Sequence, residues 1–340
     1  MRIKDALTKI KEYIRWMKIL WHPFKKTAYL LATPTHDNIG DLAIVVAEEK
    51  FLKECGYEKI VNIIMGDCWE YPRLLARLLP RHVPVYFHGG GNMGDIYLDE
   101  QLRRIMLPMF EKHDVILFPE TFFYRDTIEG NKEKIDSIQY YNKNNVTIAA
   151  REIPSYKMMQ NLYPQANVIL TPDIVLSLPP QIFQKCRNGI LLCFRDDQEK
   201  SVTENAINEL QNNLEKKGYP CTITSMIYYK CIVAGMWEKV VKEKMEEIAS
   251  AKLLITDRLH GMIFAALTQT PCIVLSNNNH KVTGVYQWIK DLSYIRFAES
   301  TIEAEDAATD MYQLDNCKFI FDKETFSEFK RLIQKKGRLI

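Results

Sequence analysis

The stretch ITDRLHG, residues 255–261, sets a guanidinium and an imidazole two positions apart, between an apolar run and a helical pattern. Arg258 offers a planar fork suited to a carboxylate or a phosphate. His260 can exchange a proton near neutral pH. A helix beginning there would add free N–H groups that favour an anion. The next apolar run ends in Asn277, Asn278, Asn279, His280 and Lys281, which brings a second cation to the same rim. Arg151 ends another run in AARE, and the first run is followed by HDNIGD, with Asn38 and Asp41. Any one of these alone reads as a solvated charge, or as a partner of Asp257 or Glu152. Three cations and a histidine at such positions together describe a binding site. Closely spaced Cys/His pairs are absent, so no metal site is expected.

A second stretch, VYFHGGGNMGD at 85–95, spells G-x-G-x-x-G through Gly89, Gly91 and Gly94. A dinucleotide site would place that pattern after the first strand of its domain, with an acidic residue ending the next strand about 20 residues on. Here it follows the third strand, and the residues at that distance end a helix, so the context fails. What survives is backbone access: Gly89, Gly90 and Gly91 allow close approach and positive φ. His88, Asn92 and Asp95 surround them with polar groups.

The elements that must carry these residues alternate. Strands are predicted over 27–35, 59–65, 83–89, 114–120, 146–152 and 167–175, with helices between, including 42–55 and 98–113. After a proline-interrupted linker at 177–189, strands follow over 189–195, 221–226, 252–257, 272–277 and 294–299. The runs are nearly continuous Val, Ile and Leu, as expected of strands buried on both faces. Such alternation predicts an α/β fold with two tandem doubly wound, Rossmann-like domains. Ligands in such sheets lie outside the strand carboxyl ends, and HDNIGD, FHGGGNMGD, AARE, TPD, CFRDD, TDRLHG and SNNNHK all lie there. The predicted organisation is a basic helix over 1–25, a first domain over 26–178, a second over 186–300, and C-terminal helices over 301–340.

The ordered set NIGD (38–41), FHGGGNMGD (87–95), AREIPS (150–155), TPD (171–173), TDRLHG (256–261) and HKV (280–282) resembles the polysaccharide pyruvyl transferase family, from about residue 30 to about residue 290. The resemblance implies a GT-B-like fold with the active site in the inter-domain cleft. It implies transfer of the pyruvyl group of phosphoenolpyruvate onto a sugar diol, usually O4 and O6 of a hexose, giving a cyclic ketal and phosphate. Carried onto this sequence, phosphoenolpyruvate would be held by Arg151, Arg258, His260 and Lys281. The acceptor side would be lined by Asn38, His88, Gly89, Gly90, Gly91 and Asn92. His260 is assigned as the acid, and Asp41 or Asp95 as the base. The first domain would then be the acceptor side and the second the phosphoenolpyruvate side. Phosphoenolpyruvate is a co-substrate, and no cofactor is expected. The two alternatives are a GT-B glycosyltransferase using a nucleotide-sugar and a catalytically silent glycan-binding protein of the same fold. The chain departs from the family pattern before its lysine, where Asn279 and His280 stand in place of an acidic residue and a proline.

Hydrophobic residues make up 47% of the chain and charged residues 26%, as in a soluble globular protein. No window approaches about 18 uncharged apolar residues, and no secretion signal is read. Eight cysteines without C-x-x-C read as buried thiols of a reducing cytoplasm. Residues 1–26 carry eight Lys and Arg against two acids. Ile3, Leu7, Ile10, Ile14, Met17 and Trp21 recur every three or four residues, so a basic amphipathic helix forms one apolar stripe. Two readings are open: a membrane-surface contact through residues 1–22, or a helix docked on its own core. The basic, apolar tail FKRLIQKKGRLI favours the former. The expected location is cytoplasmic, peripheral on the inner face of the membrane. That would suit a polyprenyl-diphosphate-linked glycan acceptor of capsule or exopolysaccharide assembly; no nucleic-acid partner is expected.

Overall fold

A computed structural model describes residues 3–22, 25–184, 186–196, 200–229, 235–276 and 280–337, with residues 3–9 as backbone. Asn277, Asn278 and Asn279 of the sequence argument lie outside the described residues. Two all-parallel sheets organise the chain. The first contains β1 (Thr27–Thr33), β2 (Lys59–Ile64), β3 (Val85–Phe87), β4 (Gly90–Gly94), β5 (Val115–Phe123), β6 (Val146–Ala150) and β7 (Asn167–Leu170). Its order is β2-β1-β3-β5-β6-β7, with β4 added on β5. The second contains β8 (Ile190–Cys193), β9 (Cys221–Ile223), β10 (Leu253–Thr256), β11 (Cys272–Leu275) and β12 (Ile295–Ala298), in the order β12-β11-β10-β8-β9. In both, the order reverses beside the first strand, between β1 and β3 and between β8 and β10. A crevice opens at such a switch point.

The strands are buried because both faces are covered. Along β1, Ala28 and Leu30 point to one core while Tyr29 and Leu31 point to another. The core on one side of the first sheet continues without interruption into the second. It joins Leu30, Phe118 and Ala149 to Leu254, Val274 and Ile295 through the helices Ile39–Glu54, Trp237–Ala249 and Leu259–Thr268. The two sheets therefore form lobes that share a middle helical layer. Outer layers complete the stack: Trp16, Leu75 and Met106 cover the first sheet, and Leu210, Leu214 and Ala308 the second.

Several element bounds moved for local reasons. The predicted helix over 98–113 ends at Met106 and tightens into a 3-10 turn, Leu107–Phe110, with Pro108 in its opening positions. The helix expected after Gly261 starts at Leu259 with Arg258 as its cap residue. The strand expected through residue 175 stops at Leu170, and the Asp173 side chain caps the turn Ile174–Ser177. The glycine run is not a loop: residues 90–94 are strand β4. The tail also differs from expectation. In the helix Ser327–Lys336, Phe329 and Ile333 are fully buried, and the Phe329 ring lies 5.7 Å from that of Phe51. Its apolar face is used inside the molecule, so it is not membrane-facing. Among the described residues, no helix is long and apolar enough to cross a membrane.

Candidate active site

The two switch points face one another across a cavity of about 280 Å³. Loops after β1, β6, β8, β10 and β11 deliver its polar lining, joined by strand β4. Four cations meet there: Arg151, Arg195, Arg258 and Lys281, each at most 7% exposed. His36, His260, Asp41 and Asp99 line the same cavity.

Arg151 follows β6 and is fixed from three sides. Its Nε donates to Thr121 Oγ1 at 2.7 Å, its Nη1 donates to Asp173 Oδ2 at 2.8 Å, and its carbonyl accepts from Trp288 Nε1. Asp173 in turn caps Val175 N–H through Oδ1 and stands 3.7 Å from His260 Nε2. One buried carboxylate thus holds the guanidinium by a hydrogen bond and sets its negative charge beside the imidazole. On the opposite lobe, the Thr256 hydroxyl accepts from Arg258 N–H and donates to the Cys193 carbonyl. Asp257 Oδ1 accepts from Arg195 N–H at 2.9 Å, and burial pushes the Asp257 carboxyl up to about 6.

His260 occupies the first turn of the helix Leu259–Thr268, against Gly40 at the start of the helix Ile39–Glu54. A Cβ at Gly40 would collide with the imidazole, so glycine there is a packing requirement. Burial lowers the His260 pKa below its ordinary value; Asp173 opposes that shift and Arg151 adds to it. Its Nε2 has no hydrogen-bond partner among the described residues. For Asp41, burial alone would raise the carboxyl. The charges of His36, His260, His88 and Lys281 outweigh it and hold the carboxyl below its usual range. His36 Nε2 lies 3.5 Å away.

Of the residues singled out in the sequence, Asn38, Asp41, Gly91, Asn92, Arg151, Arg258, His260 and Lys281 line the cavity. Asn38 is also the helix cap, accepting from Gly40 N–H at 3.0 Å. Lys281 opens the helix Lys281–Tyr286 and is 6% exposed. Four assignments change. Asp95 is turned away, its carboxylate held by Arg125 Nε at 2.8 Å and by Arg125 N–H, so it is no base for this cavity. His88 is buried behind the wall, where Glu48 Oε2 meets its Nδ1 at 2.8 Å and Glu48 Oε1 accepts from Gly89 N–H. Gly89 and Gly90 likewise lie behind the wall. Gly89 is required because a Cβ would sit 2.7 Å from the Pro119 carbonyl. Gly90 supplies a φ of 135°.

Sequence reasoning missed Arg195, His36 and Asp99 as lining residues and Asp173 as the orienting carboxylate. Arg195 carries a signal, since CFRDD lies at a strand carboxyl end. Asp99 carried none, because it belongs to the helix Leu98–Met106 beyond β4. A buried network backs this wall: Asn92 accepts from Arg103 Nη2 and donates to Asp99, and Arg103 also bonds Glu120. Burial lifts the Glu120 carboxyl to about 7.

Two doubly wound lobes with a cation-lined cleft at facing switch points define a GT-B-like α/β protein. The fold matches that of UDP-GlcNAc 2-epimerase from Methanocaldococcus jannaschii, solved with UDP-GlcNAc and UDP. The TM-score is 0.51 at 11% identity, over 91% of this chain and 99% of that one. Within that class the chain belongs to the polysaccharide pyruvyl transferase family, whose sequence profile matches residues 38–279. It is 37% identical over 280 residues to general stress protein 30 of Bacillus subtilis (strain 168), covering 81% of each chain. It is 29% identical over 284 residues to pyruvyl transferase 1 of Schizosaccharomyces pombe (strain 972 / ATCC 24843), covering 78% of this chain and 70% of that one.

Proposed function

We propose that the protein moves the pyruvyl group of phosphoenolpyruvate onto two hydroxyls of a hexose, O4 and O6, in a glycan precursor, forming a cyclic ketal and releasing phosphate. The observation that carries this reading is the set Arg151, Arg195, Arg258 and Lys281 around one small cavity that also holds His260. Phosphoenolpyruvate brings a carboxylate and a phosphate within a few bonds, and several fixed cations in a shielded site suit it. The volume of about 280 Å³ also lies just below the ~300–1,000 Å³ of pockets that hold drug-sized ligands. A strand in place of a glycine turn leading into a helix disfavours a dinucleotide.

In this mechanism the imidazolium of His260 gives its proton to the methylene carbon of phosphoenolpyruvate, leaving cationic character at C2. The first sugar oxygen bonds to C2 as its proton passes to Asp41. The C2–O bond to phosphate breaks, the second hydroxyl closes the ring on C2, and phosphate departs. Of the two hydroxyl protons, one restores the acid and the other leaves with phosphate. The sugar would extend past Arg195 into an adjoining groove of about 680 Å³ that shares this arginine and is edged by the exposed Tyr229. The groove is lined by the second lobe, so in this reading the acceptor leaves the first-domain side expected from the sequence. A polyprenyl-diphosphate-linked acceptor is part of the same reading, supported by the basic N-terminal region.

The decisive assay is phosphate release from phosphoenolpyruvate with and without a hexose diol acceptor. Release that requires the acceptor is expected. A melting-temperature shift with a UDP-sugar and none with phosphoenolpyruvate would instead assign a nucleotide-sugar glycosyltransferase. No response to either would leave a glycan-binding protein.

A further inference from the structure

The helix Ile3–Leu20 is anchored along one edge and open along another. Trp16 and Leu20 are buried on the outer face of the first sheet. The Trp16 ring lies 6.0 Å from that of Tyr71, and the Tyr29 hydroxyl donates to the Leu20 carbonyl at 2.6 Å. The docking edge is therefore not the apolar stripe expected from the sequence. Of that stripe, Ile10 is 55% exposed, Ile14 49% and Trp21 67%, with Tyr13 beside them at 45% and Met17 half-buried. Ile10 and Ile14 lie one turn apart on the helix, and Trp21, just past its last residue, is tied to the final turn by its N–H bond to the Met17 carbonyl at 2.9 Å. Scattered exposed apolar side chains need no explanation, but a contiguous row does.

The surroundings of the row are basic. Lys11, Arg15 and Lys18 are exposed on the same helix, and the helix Pro72–Leu78 packed against it exposes Arg73 and Arg77. The nearby acids are fewer: Glu12 is engaged by Arg15 at 3.1 Å, with Asp67 and Glu70 on the adjoining helix Met65–Glu70. We propose that this helix is an interfacial anchor that seats the protein on an anionic lipid surface. Trp21, Ile14 and Ile10 enter the headgroup boundary while the lysines and arginines meet lipid phosphates. A second copy of the chain fits the surface poorly, since two such faces would bring like charges together. Docking by Trp16 holds the row outward in the folded protein, so binding needs no rearrangement.

The test uses the full chain with vesicles of phosphatidylcholine alone and of equal parts phosphatidylcholine and phosphatidylglycerol. Co-sedimentation is expected with the anionic vesicles, about tenfold weaker with neutral ones and weakened by salt. The triple variant Ile10→Ser, Ile14→Ser, Trp21→Ser should lose binding at least about tenfold with an unchanged melting temperature, because none of the three is buried. Trp16→Ala should lower the melting temperature, which separates docking from anchoring. Equal binding by wild type and triple variant would overturn the proposal. So would a dimer that the triple variant dissociates, because the row would then cover a second copy.

Discussion

Arg258 and His260 sit two residues apart, and the proposed reaction gives them separable work. Arg258, 4% exposed, stands where a carboxylate or phosphate would be neutralised. Removing one charge-assisted contact costs roughly 1.5–3 kcal/mol. Arg258→Ala is therefore expected to raise KM for phosphoenolpyruvate about tenfold to a hundredfold with a smaller fall in kcat, in steady-state phosphate-release kinetics. His260→Ala should do the reverse, lowering kcat about 10²–10⁴-fold with KM little changed; equal kinetics would remove its role as acid. The pH dependence follows from the depressed pKa of His260. In the free protein the imidazole is neutral near pH 7, and a bound polyanion raises its pKa, so the complex holds more protons than the free protein. Phosphoenolpyruvate affinity should strengthen as pH falls toward the ordinary histidine value of about 6.5. Titration calorimetry in buffers of different ionisation enthalpy should register proton uptake. Folding responds with the opposite sense: the unfolded chain binds this proton more readily, so that share of stability is present above about pH 6.5 and lost as pH falls. These residues were legible because strand ends concentrate chemistry. Asp95 was not, since only the path of the backbone decides which way a side chain leaves it.

At the scale of elements, β4 makes the point most clearly. Glycine has low strand propensity, and a run of glycines reads as a loop. Here the run is extended because β5 and Arg151 come too close for side chains. A Cβ on Gly94 would strike the Phe123 carbonyl, and one on Gly91 would stand 2.7 Å from Arg151 Nη2 and 3.5 Å from Lys281 Nζ. The two positions should fail differently. Gly94→Ala meets fixed backbone, so a lowered melting temperature and poor yield are expected. Gly91→Ala meets side-chain ends, so the fold should survive while KM for phosphoenolpyruvate rises about tenfold through displaced cations. Calorimetry beside kinetics separates them. The ordinary strands were readable because Val, Ile and Leu runs suit two covered faces. Their ends were less so, since Pro108 and Asp173 shorten elements by local chemistry.

For the whole molecule, alternation in the sequence revealed two sheets but not the shared layer between them. The signal was in IGDLAIVVAEEKFL, apolar around most of its circumference, which a helix covered on one side only would not be. Leu52, fully buried in that layer, gives a test. Leu52→Ala should cost about 2–5 kcal/mol, and circular dichroism and tryptophan fluorescence should still report one coincident unfolding transition. Separate transitions would mean that each lobe has its own core. Docking of Phe329 and Ile333 back onto the first lobe adds a strap to the same unit. The shared layer also bears on kinetics. Two lobes joined by close-packed side chains cannot swing apart like jaws without shearing that packing. The cleft is therefore expected to act as a fixed slot, with reactants coming and going through its mouth. Ligand association should then rise linearly with concentration in a single phase, without the plateau of a slow closure, and X-ray scattering should give the same radius of gyration with phosphoenolpyruvate as without.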